Sequence, residues 1–544
     1  MMNIREWWSD TEKALKEFLL DKRIILVIIS VTLFSLIAHS YRWNNANFNH
    51  DSLLFAQYDD YLQRSTGRFL IPLYIKFRGL ITSPMLIGVL SILYICISVT
   101  MVVHVLDFKD RFTIITLCAV FSTFSVTAVA NASFLPWVDV YMASLMLSTA
   151  AVFFFVKIPY GWIISVICTV GSLGLYQCYI EVAVVLIVLW LIRECFIRPD
   201  IHYLIRKSVS AVCFLAIGGA IYYAAWKIAL EFHHVEALNS INSMAGFGKY
   251  SGYDIPDLLI GVYREFFRFV IKPLTFHPKR AGIMNLVLAG LALIPGIRVM
   301  KHCKVRLFLI LLLLLYPFSS NFVYILSKRY VTQLMVYSFS FFYSFVLLWF
   351  EIRSLICSEK AGVVFAFTEK VLLFVLFFFI IFGNIVYSNE LYLKRDLESQ
   401  ATLSAMTRIL AKMESTEGYI PGEMPVVLEG DINNSTVSRY RPGFDYPELL
   451  ISEINHNYSV THYYGYLEYF EYILGYPLNA ASLEEFEEYA KKPEVIAMPA
   501  FPNGDYCKIV DGALVVKLSE DMHIFSTEDM MREDTLNYLV EHRY

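Results

Sequence analysis

Residues 24–40, IILVIISVTLFSLIAHS, form an apolar stretch without a single Asp, Glu, Lys or Arg. A helix of this length lies at the lower limit of what crosses the roughly 30 Å hydrocarbon layer of a bilayer. Similar stretches recur along the 544-residue chain, in which 57% of the residues are hydrophobic and 17% are charged. In soluble proteins about a quarter of the residues are charged. The sequence therefore predicts a polytopic α-helical membrane protein.

Hydropathy predicts eleven membrane-spanning helices. We expect them at 24–40, 84–106, 112–130, 138–156, 162–179, 180–194, 209–230, 281–298, 306–326, 331–351 and 369–388. Glu181 interrupts the apolar run 162–194, which we interpret as a tight hairpin of two helices. Two further segments, 69–81 and 256–275, alternate basic and apolar residues as helices lying along a membrane surface do.

Lys and Arg in the short loops predict the orientation, because such residues accumulate on the cytoplasmic side. The loops that follow the even-numbered spans carry this excess, and they lie on the same side as the N-terminus. They include Lys109, Arg111, Lys157, Arg198, Lys301, Lys304 and Arg353. The N-terminus is therefore predicted to be cytoplasmic and, with eleven spans, the C-terminus periplasmic. Residues 1–22 are expected to form a cytoplasmic amphipathic helix rather than a cleaved signal peptide.

Charge separates the chain into two parts. From Asn389 onward there are 27 acidic and 12 basic residues, whereas residues 1–388 contain 22 acidic and 33 basic ones. We expect a transmembrane domain at 23–388, with periplasmic loops at 41–83 and 231–280, and a small soluble α/β domain at 389–544. In that domain the pattern predicts a strand within 424–432, a helix at 482–492, and two or three strands within 493–519.

The first predicted outer loop contains NFNHDSLLFAQYDDYLQRSTGRFL, residues 47–70, in which acids and arginines are crowded at the membrane boundary. An ordinary amphipathic helix with solvated charges would explain any one acid. Several carboxylates at this depth are costly unless they have partners. A carboxylate there could serve as a general base for a hydroxyl, and nearby arginines could bind a phosphate leaving group. This combination predicts sugar transfer from a lipid phosphate, which requires no nucleotide-binding fold.

Three short stretches are similar to a known family: NHDS and YDDYLQRSTGRFLIPL after the first span, GLYQCYIEVAV at 174–184, and AMPAFPNGDYCKIVDGALVVKL at 497–518. The chain resembles the bacterial serotype-converting O-antigen glucosyltransferases, the Gtr type II group within the GT-C superfamily. The resemblance implies a GT-C fold with a periplasmic C-terminal domain. It also implies undecaprenyl phosphate glucose as donor and a hydroxyl of the lipid-linked O-antigen repeat, at the outer face of the inner membrane, as acceptor.

The resemblance implies roles for residues of this chain. The catalytic carboxylate would be Asp59 or Asp60, with Asp51 as the alternative. Side chains that would bind the donor phosphate are Arg64, Arg68, Lys328 and Arg329. Arg264 and Arg268 lie on the predicted outer face against the orientation rule and could bind the same phosphate, although snorkelling to lipid headgroups or helix capping could explain some of these cations. By their outer-face position, side chains that could line the substrate groove are His50, Trp137, Asp139, Tyr176, Gln177 and Glu181, for which interface anchoring or helix–helix contact is the alternative. The resemblance favours Tyr176 and Gln177 among them.

Other functions agree less well with the sequence. A transporter or flippase of lipid-linked sugars would need charges within its spans, and a polymerase a large loop between spans. A non-catalytic scaffold would leave the acids unexplained. The nine cysteines include no CxxC pair, and P-loop, GxSxG and HExxH motifs do not occur in a suitable context. We expect no nucleic-acid partner and no cofactor, although paired aspartates could hold a divalent cation.

Overall fold

The computed structural model describes residues 11–13, 16–45, 60–237, 255–327, 331–356, 363–430, 469–476 and 478–520. Within these ranges the chain is mainly helical. The helices are α1 Arg23–Asn44, α2 Asp60–Ser65, α3 Ile71–Arg78, α4 Pro84–Leu106, α5 Arg111–Thr123, α6 Ser125–Ser133, α7 Val138–Lys157, α8 Trp162–Leu175, α9 Ile180–Ile197, α10 Ile201–Phe232, α11 Ile255–Ile271, α12 Pro278–Met300, α13 Arg306–Ser319, α14 Val323–Leu326, α15 Phe341–Ile356, α16 Val363–Glu414, α17 Leu483–Ala490 and α18 Pro493–Ala497.

Six helical segments in the described ranges are long and apolar enough to cross a membrane. They are Arg23–Asn44, Pro84–Leu106, Arg111–Ser133, Leu135–Lys157, Ile201–Phe232 and Thr368–Glu414. Two shorter apolar helices, α8 and α13, lie at predicted spans as well. These helices indicate a membrane protein, while the number eleven stays a prediction.

The structure refines two of the predicted spans. The hairpin within 162–194 consists of α8 and α9, joined by a 3-10 turn at Gln177–Tyr179. The break therefore precedes Glu181, which lies in the first turn of α9. The span predicted at 331–351 begins with two 3-10 turns, Gln333–Met335 and Tyr337–Ser340, before α15 continues as regular helix.

Polar residues mark several helix ends. The side chain of Asp110 caps α5 by accepting a hydrogen bond from the Thr113 amide at 3.1 Å, and Asp200 caps α10 through the His202 amide at 2.9 Å. Such caps satisfy amide groups that have no partner within the helix. Pro84 begins α4, where its missing N–H costs nothing.

The helices pack around one large apolar core, to which α4, α5, α7, α9 and α15 contribute most of the buried side chains. Helix α9 is buried along almost its whole length. Helices α1 and α4 approach closely because Gly88 lies against the indole of Trp43, where an added Cβ would come within 2.4 Å of the ring. This dense packing holds the described helices in fixed relative positions.

Helix α16 continues from the apolar region into a small α/β unit, so the domain boundary predicted at 388/389 lies inside a continuous helix. Its last turns, including Met406 and Ile409, pack against a three-stranded sheet. The strands are β1 Val426–Glu429, β2 Cys507–Val510 and β3 Ala513–Lys517. Their order is β1-β3-β2, with β1 parallel and β2 antiparallel to β3, and Val427 lies opposite Val515.

The small unit follows its local sequence closely. The helix predicted at 482–492 is α17, where Ser482 and Glu485 form a reciprocal capping box. Asp511 and Gly512 both have positive φ in the turn between β2 and β3, as a tight hairpin turn requires. Two strands, β2 and β3, lie within 493–519 as predicted, and residues 493–497 form the short helix α18, which Pro493 begins.

Candidate functional site

The candidate site is built around the segment that follows the first predicted outer loop. Helix α2 starts at Asp60 and ends in a Schellman-type turn, where the Arg68 amide donates to Gln63 O at 2.8 Å and the Gly67 amide to Arg64 O at 3.1 Å. Gly67 has φ +94°, a conformation that glycine adopts without strain. We call residues 64–70 the arginine turn, because it carries Arg64 and Arg68.

Side chains from other helices hold the main chain of the arginine turn. The Gln177 amide Nε2 donates to Thr66 O at 2.9 Å, and the Tyr222 hydroxyl donates to Gly67 O at 3.0 Å. The Trp226 indole N–H donates to Arg64 O at 2.7 Å. The same Gln177 amide also lies 3.1 Å from the Tyr222 hydroxyl. These three side chains form what we call the polar platform.

Arg68 extends over the ring of Tyr176, with its guanidinium carbon 5.0 Å from the ring centroid. A cation on an aromatic face is favourable in a partly desolvated position. The Arg68 side chain is partly exposed, and its buried Nε has no hydrogen-bond partner in the described part of the chain. The structure thus brings Arg68, predicted to bind the donor phosphate, close to Tyr176 and Gln177, predicted to line the substrate groove.

Asp139 is fully buried and forms an ion pair with Arg78, with Nη1 and Oδ1 2.9 Å apart. The Tyr74 hydroxyl donates to its other oxygen at 2.9 Å, and Arg78 also donates to Pro136 O at 2.7 Å. Half-buried Trp137 packs against the same short helix, α3, in a small apolar cluster with Ile71 and Ile75. Within this structure Asp139 fixes α3 to the start of α7, and a contact of Asp139 or Trp137 with substrate stays a prediction.

Glu181 is also fully buried. Its Oε1 accepts a hydrogen bond from the Val323 amide at 2.6 Å, and its Oε2 accepts one from the Ser338 hydroxyl at 3.1 Å. The carboxylate therefore joins α9 to α14 and to the turn before α15. Its predicted role in substrate binding is untested.

Arg264 and Arg268 lie on α11, which packs against α12, α13 and α14, whereas the arginine turn packs on α8 and α10. Both arginines are near Glu265, at 3.8 Å and 3.6 Å. Arg264 also reaches the Tyr324 hydroxyl at 3.4 Å. These cations are therefore held on a different set of helices from Arg64 and Arg68.

Several predicted site residues lie outside the described residues: His50, Asp51, Asp59, Lys328 and Arg329. For Asp60 the structure describes the main chain, which begins α2, but not the side chain. The predicted roles of these residues stay predictions.

Two buried arginines were missed by sequence reasoning. Arg42, at the end of α1, donates to Asn131 O at 2.8 Å and to Asn45 O at 3.1 Å. Arg395, on α16, donates to the Ser133 hydroxyl at 3.3 Å. Both guanidinium groups therefore contact the last turn of α6. The signal in the sequence was an arginine at a predicted outer helix end, against the usual charge distribution.

A comparison with protein families identifies the group to which this chain belongs. The family model described as Glucosyl transferase GtrII matches residues 40–350, which is more than half of the chain. The chain is a member of the GtrII family. The GtrII match includes the arginine turn, the polar platform and the Arg78–Asp139 pair, whereas the C-terminal sheet lies beyond it. In comparisons with curated proteins and with solved structures, no significant match was found.

Membership in GtrII assigns glucosyl transfer as the activity, and the apolar helices place this glycosyltransferase in a membrane. Among the described residues there is no group of three or more His, Cys, Asp or Glu side chains that could hold a metal ion. The functional groups that the described part of the site offers are arginine guanidinium groups, aromatic rings and hydrogen-bonding side chains.

Proposed function

We propose that this GtrII protein is a GT-C-type glycosyltransferase that uses a polyprenyl phosphate sugar. The donor would be undecaprenyl phosphate glucose, and the acceptor a hydroxyl of lipid-linked O-antigen or a related surface glycan. The reaction would take place at the outer face of the bacterial inner membrane, with the N-terminus cytoplasmic and the C-terminal domain periplasmic. The lipid bilayer itself would present both substrates.

The observation that carries the proposal is the position of Arg68. It lies eight residues after Asp60, on a turn whose main-chain oxygens accept hydrogen bonds from Gln177, in the turn after α8, and from Tyr222 and Trp226 of α10. Its buried Nε has no described partner. A guanidinium group with N–H donors to spare suits a phosphate oxygen, because such hydrogen bonds are charge-assisted. The same short segment would thus contribute a carboxylate and a phosphate-binding cation.

In the proposed reaction a carboxylate of Asp59 or Asp60, or alternatively of Asp51, accepts the proton of the acceptor hydroxyl. The oxygen then forms a bond to C1 of the glucose as the bond from C1 to the phosphate oxygen breaks. The lipid phosphate leaves with the electron pair, and Arg64 and Arg68 stabilise its charge. Lys328, Arg329, Arg264 and Arg268 are proposed as further cations for the donor.

The proposed substrate groove would include His50, Trp137, Asp139, Tyr176, Gln177 and Glu181. Tyr176 is the member best supported, since its ring lies under Arg68 and packs against Tyr141, 4.7 Å between centroids. Tyrosine combines an apolar ring with a polar hydroxyl group, so it suits positions between apolar and wet surroundings.

The experiment is sugar transfer by purified protein in lipid, from synthetic polyprenyl phosphate glucose to a lipid-linked oligosaccharide. Wild type is compared with Asp51→Asn, Asp59→Asn and Asp60→Asn. Loss of general base catalysis and of positioning should reduce kcat by about a thousandfold or more in one variant, with donor binding retained. The proposal fails if the wild type moves the donor lipid across a liposome membrane but transfers no sugar, because the protein would then be a transporter.

A further inference from the structure

Gln177, Tyr222 and Trp226 do not need to touch a substrate to matter for the reaction. The polar platform that they form donates its hydrogen bonds to main-chain oxygens of the arginine turn, those of Thr66, Gly67 and Arg64. We infer that these three side chains are positioning residues, which hold the arginine turn in the conformation that binds the donor phosphate. The inference rests on the proposed function for its last step.

The arginine turn needs outside partners for a physical reason. It follows the last turn of a helix, where carbonyl oxygens have no amide partner within the helix. Its own hydrogen bonds use the carbonyls of Leu62, Gln63 and Arg64. The oxygens of Thr66 and Gly67 then receive their hydrogen bonds from Gln177 and Tyr222.

The other end of the turn is held by a close approach of main chains. The Leu70 amide donates to Gly174 O at 3.1 Å, and a Cβ on Gly174 would come within 2.7 Å of the Leu70 side chain. The ring of Phe69 stacks on that of Tyr222, with 5.9 Å between centroids. The turn is therefore attached to α8, to the turn after it and to α10.

Two of the three platform side chains are buried, and Gln177 is partly exposed. Tyr222 and Trp226 are at most 2% exposed, and they lie four residues apart on one face of α10. The Gln177 amide links this face to the turn before α9 through the Tyr222 hydroxyl. Buried polar networks whose members are all bonded hold one arrangement, because each alternative leaves a buried group unsatisfied. Arg68 thereby keeps its place over Tyr176.

The inference predicts a specific kinetic signature. If a platform variant lets the turn leave its binding-competent conformation most of the time, the donor must restore that conformation on binding. The apparent affinity for the sugar donor then falls in proportion to the fraction of molecules whose turn is binding-competent. The bound complex still reacts at the normal rate. Loss of one such hydrogen bond is expected to raise the donor KM about five- to tenfold, with kcat changed less than about twofold.

The test combines hydrogen exchange with kinetics on the full-length protein in lipid. Tyr222→Phe removes the hydroxyl group that hydrogen-bonds to Gly67 O. Trp226→Phe independently removes the indole N–H that hydrogen-bonds to Arg64 O. Tyr223→Phe is the matched control, because it removes a hydroxyl from the next residue of the same helix, which is 50% exposed. Exchange is measured for the peptide 62–70, with the amides of α10 as the internal reference for folding.

In both platform variants we expect the amides of 66–70 to exchange about five- to tenfold faster, and the donor KM to rise by a similar factor. The control Tyr223→Phe should match wild type in amide exchange at 66–70 and in donor KM. Unchanged exchange at 66–70 in both variants would overturn the inference. Faster exchange with an unchanged donor KM would also overturn it, because the turn would then not belong to the donor site.

The two hypotheses fail in distinguishable ways. A wild-type protein that transfers no sugar overturns the proposed function and, with it, the donor-binding part of the inference. The exchange result still decides whether the platform holds the arginine turn. A wild-type protein that transfers sugar, with platform variants like the control, leaves the proposed function intact and overturns the inference alone.

Discussion

The guanidinium group of Arg78 lies 2.9 Å from the carboxylate of Asp139, and the two side chains are 1% and 0% exposed. Tyr74 donates to the same carboxylate at 2.9 Å. This ion pair connects α3, which directly follows the arginine turn, to the beginning of α7. Buried charges are costly to leave without a partner, so each member of the pair depends on the other.

Removing one member of this pair should cost far more than removing both. For Asp139→Asn we expect a loss of about 3–5 kcal/mol in the free energy of unfolding, because a buried guanidinium group loses its counter-charge. The double variant Arg78→Met with Asp139→Leu should recover most of that loss. Equilibrium unfolding in mixed micelles measures both. Equal stability of the single and double variants would show that the pair is not coupled.

Arg68 should act on the donor rather than on the fold. Arg68→Gln is expected to raise the donor KM about 10- to 100-fold, since a hydrogen bond to a charged group contributes about 1.5–3 kcal/mol. Arg68→Lys should fall between wild type and Arg68→Gln, because an ammonium group keeps the charge but loses the planar fork. The control is Arg206→Gln, an exposed arginine near the start of α10. Equal KM values for Arg68→Gln and this control would remove Arg68 from the donor site.

A structural role and a substrate-binding role of Glu181 predict different effects of substitution. Its two oxygens accept from the Val323 amide and the Ser338 hydroxyl. Glu181→Ala leaves the buried Val323 amide without its acceptor, whereas the Ser338 hydroxyl keeps Ser320 O at 2.6 Å. We therefore expect it to lower the free energy of unfolding by about 1–3 kcal/mol. Glu181→Gln keeps an acceptor oxygen and should lose less. A stable Glu181→Ala protein with a raised KM would instead support the substrate role.

Glu429 should make the C-terminal unit less stable as the pH rises. Its side chain, at the end of β1 and beside Lys517 of β3, is fully buried, and neither oxygen has a described hydrogen-bond partner. Burial raises its pKa to about 8, although the charge of Lys517 opposes the shift. The folded state therefore keeps the proton that the unfolded chain releases above its ordinary pKa of 4.5.

Between pH 4.5 and 8 the folded state binds more protons at Glu429, so the free energy of unfolding falls as the pH rises. By this linkage the loss by pH 8 is on the order of 4 kcal/mol. Hydrogen exchange of the β1 peptide at pH 5.5 and 8 measures the larger part of this loss, about 3 kcal/mol, after correction for the intrinsic exchange rate. Glu429→Gln should abolish most of the dependence, whereas exposed Glu423→Gln should retain it. If the pH dependence persists in Glu429→Gln, another titrating group is responsible for it.

Local sequence predicted the elements from which the site is built. Apolar runs marked the long helices, and the basic-apolar alternation at 69–81 and 256–275 corresponds to α3 and α11. Asp511-Gly512 predicted the hairpin turn between β2 and β3. Each of these signals works within a few residues, because helix period, capping and turn conformation depend on neighbouring side chains.

The partners of the buried polar side chains could not be predicted in the same way. The sequence favours sugar binding by Gln177, yet its amide is bonded to Thr66 O, 111 residues earlier in the chain. Asp139 is predicted to line the same groove, and it is paired with Arg78. Which face of a helix meets which neighbour depends on packing throughout the bundle, and this is not encoded in any single segment.

The sequence by itself determined that this is a helical membrane protein of the GtrII type, because hydropathy and short motifs are properties of the chain alone. Only the tertiary structure decided that α10 and the turn after α8 hold the arginine turn through its carbonyl oxygens. Only the tertiary structure also brought Arg42 and Arg395 to the end of α6. The physical reason is that a buried polar group must find its partner across helices, and the packing of the whole bundle determines which group lies within reach.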